Sequence, residues 1–321
     1  GALVARSAGS AAWRNARLVA GVVLAWAPGV WAELPDLRDF QVANPAPGVY
    51  VHYGAQAEMT AANAGDTANL GFVVGTTCVA VIDTGGTYAV GRALRAAIRR
   101  ITSLPVCYVV NTHVHPDHVF GNQAFVEDRP EFVGHARLAE ALRRRGPNYL
   151  RALMRDVGDA AQGSTIVLPT MAVADVQRLD LGGRSLTLRA WPTAHTDTDL
   201  TVFDETSGTL WPGDLLFVGH LPVVDGSLRG FIAVIDELKN VPAQRVIPGH
   251  GQADAWPAAL LPEERYLKAL LRDIRAALAA RVPIAEAMET VACDDANHWL
   301  LVEEFHKRNV SAAYAELEWE Q

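Results

Sequence analysis

The sequence predicts one α/β domain: two sheets packed face to face, helices outside them, and a helical extension at the C-terminus. Three observations carry that reading. Half of the 321 residues are hydrophobic, enough for one sizeable core. The two halves of the chain share one order: strands, a helix, then a strand that delivers a polar loop. After Pro262 the apolar spacing is helical to the end.

Taken in order, "GVYVHYG" from Gly48, "NLGFVVG" from Asn69 and "CVAVIDTGG" from Cys78 read as three strands. Val90, Leu94 and Ile98 recur at every fourth residue with arginines opposite, which predicts a helix from about Thr87 to Arg100. "PVCYVV" is a buried strand. A short helix near Asn122, a strand at "EFVG" and a helix from about Ala136 to Arg145 follow. Tyr149 to Gln162 reads as either a helix or a covering loop. Strand patterns return at "TIVLP", "VQRLDL", "RSLTLRAWP", "DLTVFDE" and "GTLWPGD"; "RSLTLRAW" alternates as a half-buried strand should. A helix near Phe231 to Asn240 precedes the strand "RVIPG". The C-terminal helices break at Pro283 and around Asp294 and Asp295.

The first 32 residues have a different character. Arg14 and Arg17 precede the apolar run "LVAGVVLAWA", a Pro-Gly break follows, and "VWA" ends at Ala32. A charged segment, a short apolar run and a small residue at the end predict a cleaved secretory signal over residues 1–32. The run is too short for a comfortable membrane span. No cysteine lies at the boundary, which argues against a lipid anchor. The expected location is periplasmic or secreted, with no membrane contact after cleavage. Residues 33–262 then form the main domain, and 263–321 its helical extension.

The formal net charge is −8, and removing residues 1–32, with three arginines and no acid, makes it −11. A chain this acidic is a poor nucleic-acid binder. Three cysteines, Cys78, Cys107 and Cys293, make no disulfide framework. Cys78 and Cys107 sit in strand-like runs that could be neighbours, but buried free thiols are the expectation.

The chemistry concentrates in "THVHPDHVFGN", Thr112 to Asn122. Imidazole nitrogens and carboxylate oxygens suit zinc and metals near it. His113 and His115 are two apart, which in an extended segment points both rings to one side. Pro116 turns the chain, so Asp117 and His118 can face the same cavity from another angle. Four ligands on one loop cannot all close on one ion. Two ions, or one ion with an acid/base pair, fit better. Three further ligands stand at the ends of predicted strands: His195 in "WPTAHTDTDL", Asp214 in "LWPGDLLF" and His250 in "VIPGHG".

Those motifs, in that order from Gly48 to His250, resemble the metallo-β-lactamase-fold hydrolases. More narrowly, "NLGFVVG", "AVIDTGG", "THVHPDHVFGN", "GDLLFVGH" and "DGSLRG" are similar to the quinoprotein relay system zinc metallohydrolases. The resemblance implies a four-layer αββα sandwich with two zinc ions at one edge, iron or manganese being the alternatives. It places His113, His115 and His195 on the first zinc, and Asp117, His118 and His250 on the second. Asp214 would bridge them with a hydroxide that attacks a carbonyl. Asp117 would also orient that nucleophile, and Asp83 would support the ligand loops through hydrogen bonds.

The implied function is a secreted hydrolase of a small-molecule ester, thioester, lactone or amide, linked to a periplasmic quinoprotein dehydrogenase or sulfur-oxidation system. Typical metallo-β-lactamases carry Cys or Ser where this chain has Asp214, which makes antibiotic hydrolysis secondary. A mono-iron persulfide dioxygenase-like enzyme and a non-catalytic maturation partner are the competing functions. His220 and Arg229 are candidates for the pocket mouth, Arg229 as an anchor for an anionic substrate. His52, His135, His298, His306, Trp191 and Trp211 read as packing or surface residues. The last helix, "EEFHKRNVSAAYAELEW", reads as packing on the sandwich, with a docking surface as the alternative.

Overall fold

Period-two apolar patterning builds the first sheet and four-residue patterning covers it. The computed structural model describes residues 37–253 and 255–320; the signal reading of residues 1–32 lies outside them. Strands β1 (Ala43–Ala46), β2 (Val49–His52), β3 (Leu70–Val74) and β4 (Val79–Ile82) run antiparallel. Helix α1 (Tyr88–Ile101) crosses to β5 (Val106–Val110), which joins β4 in parallel. Thr87 starts α1: its hydroxyl accepts from the Val90 amide at 3.2 Å, a cap of about 1 kcal/mol. Val90, Leu94 and Ile98 are buried against the outer face of the sheet, at about 1.5–3 kcal/mol each.

After β5 comes the one-turn helix α2 (Pro116–Val119) and then β6 (Glu131–His135). Helix α3 (Leu138–Asp156) runs without a break through Pro147, longer than the Ala136–Arg145 helix expected, and takes in part of the ambiguous stretch. Proline in a helix interior costs about 3 kcal/mol. Here buried Leu142 and Leu153, with Tyr149 and Leu150 packed beside them, hold both arms to the same apolar cluster. Strand β7 (Met171–Val173) closes a seven-stranded sheet of order β1 to β7. The strand expected at "TIVLP" does not form; its residues lie before β7 without ladder partners. Strand β1 was not foreseen.

The second sheet contains β8 (Val176–Asp180), β9 (Ser185–Ala190), β10 (Leu200–Asp204) and β11 (Thr209–Phe217), all antiparallel neighbours. Helix α4 (Leu228–Leu238) crosses to β12 (Arg245–His250), which pairs with β11 in parallel. Every residue of β11 is buried, as expected for a strand covered on both faces. The inner faces meet through Val51, Val73, Ile82 and Val110 of the first sheet and Leu186, Leu188, Val202 and Trp211 of the second.

The remaining helices are α5 (Leu261–Ala279), α6 (Ile284–Thr290), α7 (Cys293–Ala296) and α8 (Val302–Leu317). Buried Phe231, Ile235, Tyr266, Leu270, Ile274 and Val310 pack α4, α5 and α8 over the outer face of the second sheet. The layers are therefore helix, sheet, sheet, helix, with the C-terminal helices forming part of the outer layer. No helix among the described residues is long and apolar enough to cross a membrane.

One expectation is corrected. Cys78 and Cys107 form a disulfide, with Cα atoms 5.8 Å apart, rather than staying free. Parallel pairing of β4 with β5 sets Val79 opposite Val106 and so brings the two residues together. A link closing a loop of that length stabilises by about 2–4 kcal/mol.

Candidate metal centre

The H-x-H-x-D-H loop leaves the C-terminal end of β5, and a single carboxylate holds it. Asp83, just past β4, accepts from the Thr112 amide at 2.8 Å, the Thr112 hydroxyl at 2.7 Å and His118 Nδ1 at 2.8 Å. Its backbone is left-handed, at φ 54°, a strained conformation that surrounding contacts must maintain. Pro116 at the first turn of α2 presets the bend that carries Asp117 and His118 back toward the cavity. The supporting role expected of Asp83 is what the geometry shows.

The second sheet supplies the rest. His195 follows β9, Asp214 lies within β11, and His250 ends β12. Gly249 permits the approach of β12 to Asp214: a Cβ there would stand 1.9 Å from Asp214 Oδ1. All seven expected residues come together in two adjacent groups: His113, His115, His195 and Asp214 in one, and Asp117, His118 and His250 in the other.

Each histidine has one ring nitrogen tied outward and the other turned inward. His195 Nδ1 donates to the Val223 carbonyl at 2.6 Å, and His250 Nδ1 to the Thr67 carbonyl at 2.9 Å. His118 Nδ1 donates to Asp83, and His115 Nε2 to Asp225 Oδ2 at 3.0 Å. The Thr112 hydroxyl gives its proton to Asp83, so it accepts from His113 Nδ1 at 3.0 Å. These partners assign the tautomers: in each neutral ring the inward nitrogen carries a lone pair. Those lone pairs face one another, with His115 Nδ1 lying 3.2 Å from His113 Nε2 and 3.0 Å from His195 Nε2.

Acceptors facing acceptors at such distances repel unless a cation lies between them. The carboxylates sharpen the demand. Asp214 Oδ2 lies 3.5 Å from both His113 and His195 and 3.3 Å from His250, while its Oδ1 is 3.2 Å from His118 Nε2. His118 Nε2 and Asp214 Oδ1 are buried without hydrogen bonds. Burial pushes His195 down to about 4, with His115 adding to the effect, so its ring is neutral near neutrality. Burial would also depress His118, but Asp214, Asp117 and Asp83 outweigh it and raise that ring well above its usual value. The centre thus attracts cations, and its N/O donor set fits divalent metal ions.

The two groups open into a cavity of about 480 Å³. Asp117 lines it with a largely buried carboxylate, within 3.4 Å of the Thr67 hydroxyl and of His250 Nε2. Met59, Phe217, Val223, Val224 and Phe305 make its walls mostly apolar, and Arg308 stands at the rim. His220 reaches the cavity, with its ring 4.9 Å from that of His250 and its Nδ1 donating to the Leu221 carbonyl. Arg229 does not: it pairs with Glu316 at 3.2 Å and Glu320 at 2.8 Å. His135 bonds the Trp191 carbonyl and His306 the Tyr266 hydroxyl, both structural.

Several supporting groups went unread in the sequence. Asp225 orients His115 while paired with Arg145, which also donates to Tyr149. Burial opposes ionisation of Asp225, but His115 and Arg145 bring it down to about 2. Asn69 donates to the carbonyls of Pro248 and Gly251 at 2.8 and 2.6 Å, fixing the chain on either side of His250. Both residues lay in quoted motifs, "DGSLRG" and "NLGFVVG", but an Asp or Asn alone announces no such role.

The Metallo-beta-lactamase superfamily profile matches residues 64–250. The linear primary-alkylsulfatase of Pseudomonas sp. (strain ATCC 19151) is 26% identical over 208 residues, 54% of this chain and 39% of that one. The chain thus spans about two fifths of that curated relative. The inverting sec-alkylsulfatase Pisa1 of Pseudomonas sp. shares the fold at TM-score 0.66 and 16% identity, over 86% of this chain and 50% of that one. A metallo-beta-lactamase from Pontibacter korlensis does so at TM-score 0.58 and 19% identity, over 70% of this chain and 98% of that one.

Proposed function

The chain belongs to the metallo-beta-lactamase superfamily, and from that premise we propose that it is a dinuclear zinc hydrolase. Its substrate would be a small ester, thioester, lactone or amide. The observation that carries the reading is the set of five inward-turned imidazole nitrogens arranged with Asp117 and Asp214 in two adjacent groups. His113, His115 and His195 would hold one ion, Asp117, His118 and His250 the other, and Asp214, within reach of both groups, would bridge. Two zinc ions, when bound, would bring the pKa of water toward neutrality and draw charge from the scissile carbonyl.

The chain's own residues would do the rest. Asp117, steadied by Thr67, would orient the attacking water and accept its proton. The apolar walls would exclude bulk water and seat a compact acyl group. Iron or manganese would suit the same donors less specifically. The Cys78–Cys107 link favours an oxidising compartment, in line with periplasmic or secreted location. Service to a periplasmic dehydrogenase belongs to the same proposal.

A second reading, sulfate-ester hydrolysis, is favoured by the match to a linear primary-alkylsulfatase. One panel separates the two. Zinc-loaded chain is given matched carboxylic esters, thioesters, lactones, a β-lactam and an alkyl sulfate. Turnover of a carbonyl substrate supports the first reading, and turnover of the sulfate alone the second. One iron per chain with oxygen uptake on a persulfide would overturn both.

A further inference from the structure

The loop between β11 and α4 touches the first ligand group twice. The Val223 carbonyl fixes His195 Nδ1, and Asp225 fixes His115 while its amide donates to the His195 carbonyl at 3.0 Å. This loop has no ladder of its own beyond its first residues, so something else must hold it.

Asn309 of α8 does. Its side chain is fully buried. Nδ2 donates to the Pro222 carbonyl at 2.6 Å and to the Tyr266 hydroxyl at 3.0 Å, while Oδ1 accepts from the Val224 amide at 2.9 Å. One planar amide therefore brackets Val223, the residue whose carbonyl sets the direction of His195. An amide is suited to this because it offers a donor and an acceptor side by side to a backbone C=O and N–H two residues apart. Glu316 of α8 anchors the far end of the loop, accepting from the Ser227 hydroxyl at 2.8 Å and the Leu228 amide at 2.7 Å. Among the described residues no α8 hydrogen bond reaches the second group.

We propose that Asn309 is a positioning residue for the first metal site, acting on His195 through Val223 and leaving the second site to other supports. This rests on the metal-site assignment above. Residue 309 lies well beyond the stretch matched to the superfamily, so this support comes from the chain's own C-terminal helices.

The test is a cobalt(II) titration of the chelator-stripped full chain, followed by visible absorption and calorimetry, for wild type, Asn309→Ala and Asn309→Ser. Orienting partners of metal ligands typically carry 10–100-fold in affinity. The expected result is a loss of that order for one ion in Asn309→Ala, a smaller loss in Asn309→Ser, which keeps one donor, and less than about 3-fold change for the other ion. If Asn309→Ala does not fold, Asn309→Ser decides. Unchanged affinities, or equal weakening of both ions alongside a lower metal-free melting temperature, would overturn the proposal. Wild type that binds no metal would instead sink the metal-site assignment itself.

Discussion

The two ligand groups share one cavity but are braced from opposite ends of the chain. His250 of the second group leans on Thr67, and Asn69 pins the backbone on either side of it. His195 of the first group leans on Val223, and Asn309 pins the backbone on either side of that residue. A buried asparagine amide clasps backbone in both, around His250 itself in the first case and around Val223, the support of His195, in the second. The first asparagine lies inside the superfamily match and the second beyond it. On the proposed assignment the difference means that the two sites would be tuned separately, although Asp214 reaches both groups.

The largest perturbation breaks the comparison altogether. Asp214→Ala removes the one carboxylate near all of His113, His195, His118 and His250. A metal supplies several kcal/mol to such a reaction, so kcat/KM should fall on the order of 10³-fold or more. Metal content should drop at both sites, as elemental analysis would record; retention of two ions would contradict the bridging role.

Next, Asn69→Ala should mirror the α8 variant. It should weaken the second ion by roughly 10–100-fold and spare the first, read by calorimetric titration. Loss at the first site instead would reverse the assignment of supports.

A smaller effect lies behind the cavity. Glu263 is fully buried, accepting from the Phe217 amide at 3.1 Å while its other oxygen has no partner. Burial raises its pKa well above its ordinary 4.5. The folded chain therefore holds a proton that the unfolded chain releases, and stability is lost as pH rises above the unfolded value. The unfolding free energy of wild type relative to Glu263→Gln, from denaturant melts at stepped pH, should fall as pH rises above the ordinary glutamate range, by up to about 1.4 kcal/mol per pH unit. A flat difference would show that the carboxyl is ionised.

Least of all, Arg308 at the rim makes no ion pair among the described residues. Arg308→Ala should raise KM for an anionic ester by about 3- to 5-fold, the worth of a solvent-screened charge contact. An equal change for a neutral ester would assign Arg308 to packing.

The candidate ligands were legible because their chemistry is rare and local. Histidines two apart before a proline announce themselves; of the single residues expected at strand ends, His250 ends β12, while His195 lies in the loop after β9 and Asp214 inside β11. Their supports were not, because Asn69 and Asn309 are ordinary amides whose partners lie 179 and 87 residues away. Fold class was legible from two periodicities. The misses have physical causes: "TIVLP" is apolar but half-buried without ladder partners, and α3 outlasts Pro147 because Leu142 and Leu153 share one cluster. The cystine followed from strand register, which an odd count of three cysteines could not supply.

The most direct test of the two-brace account is stepwise cobalt(II) titration of the stripped chain in wild type, Asn69→Ala and Asn309→Ala, side by side. The account predicts two ions per wild-type chain, with each variant weakening a different one. Fewer than two ions in wild type, or the same ion weakened in both variants, would contradict it.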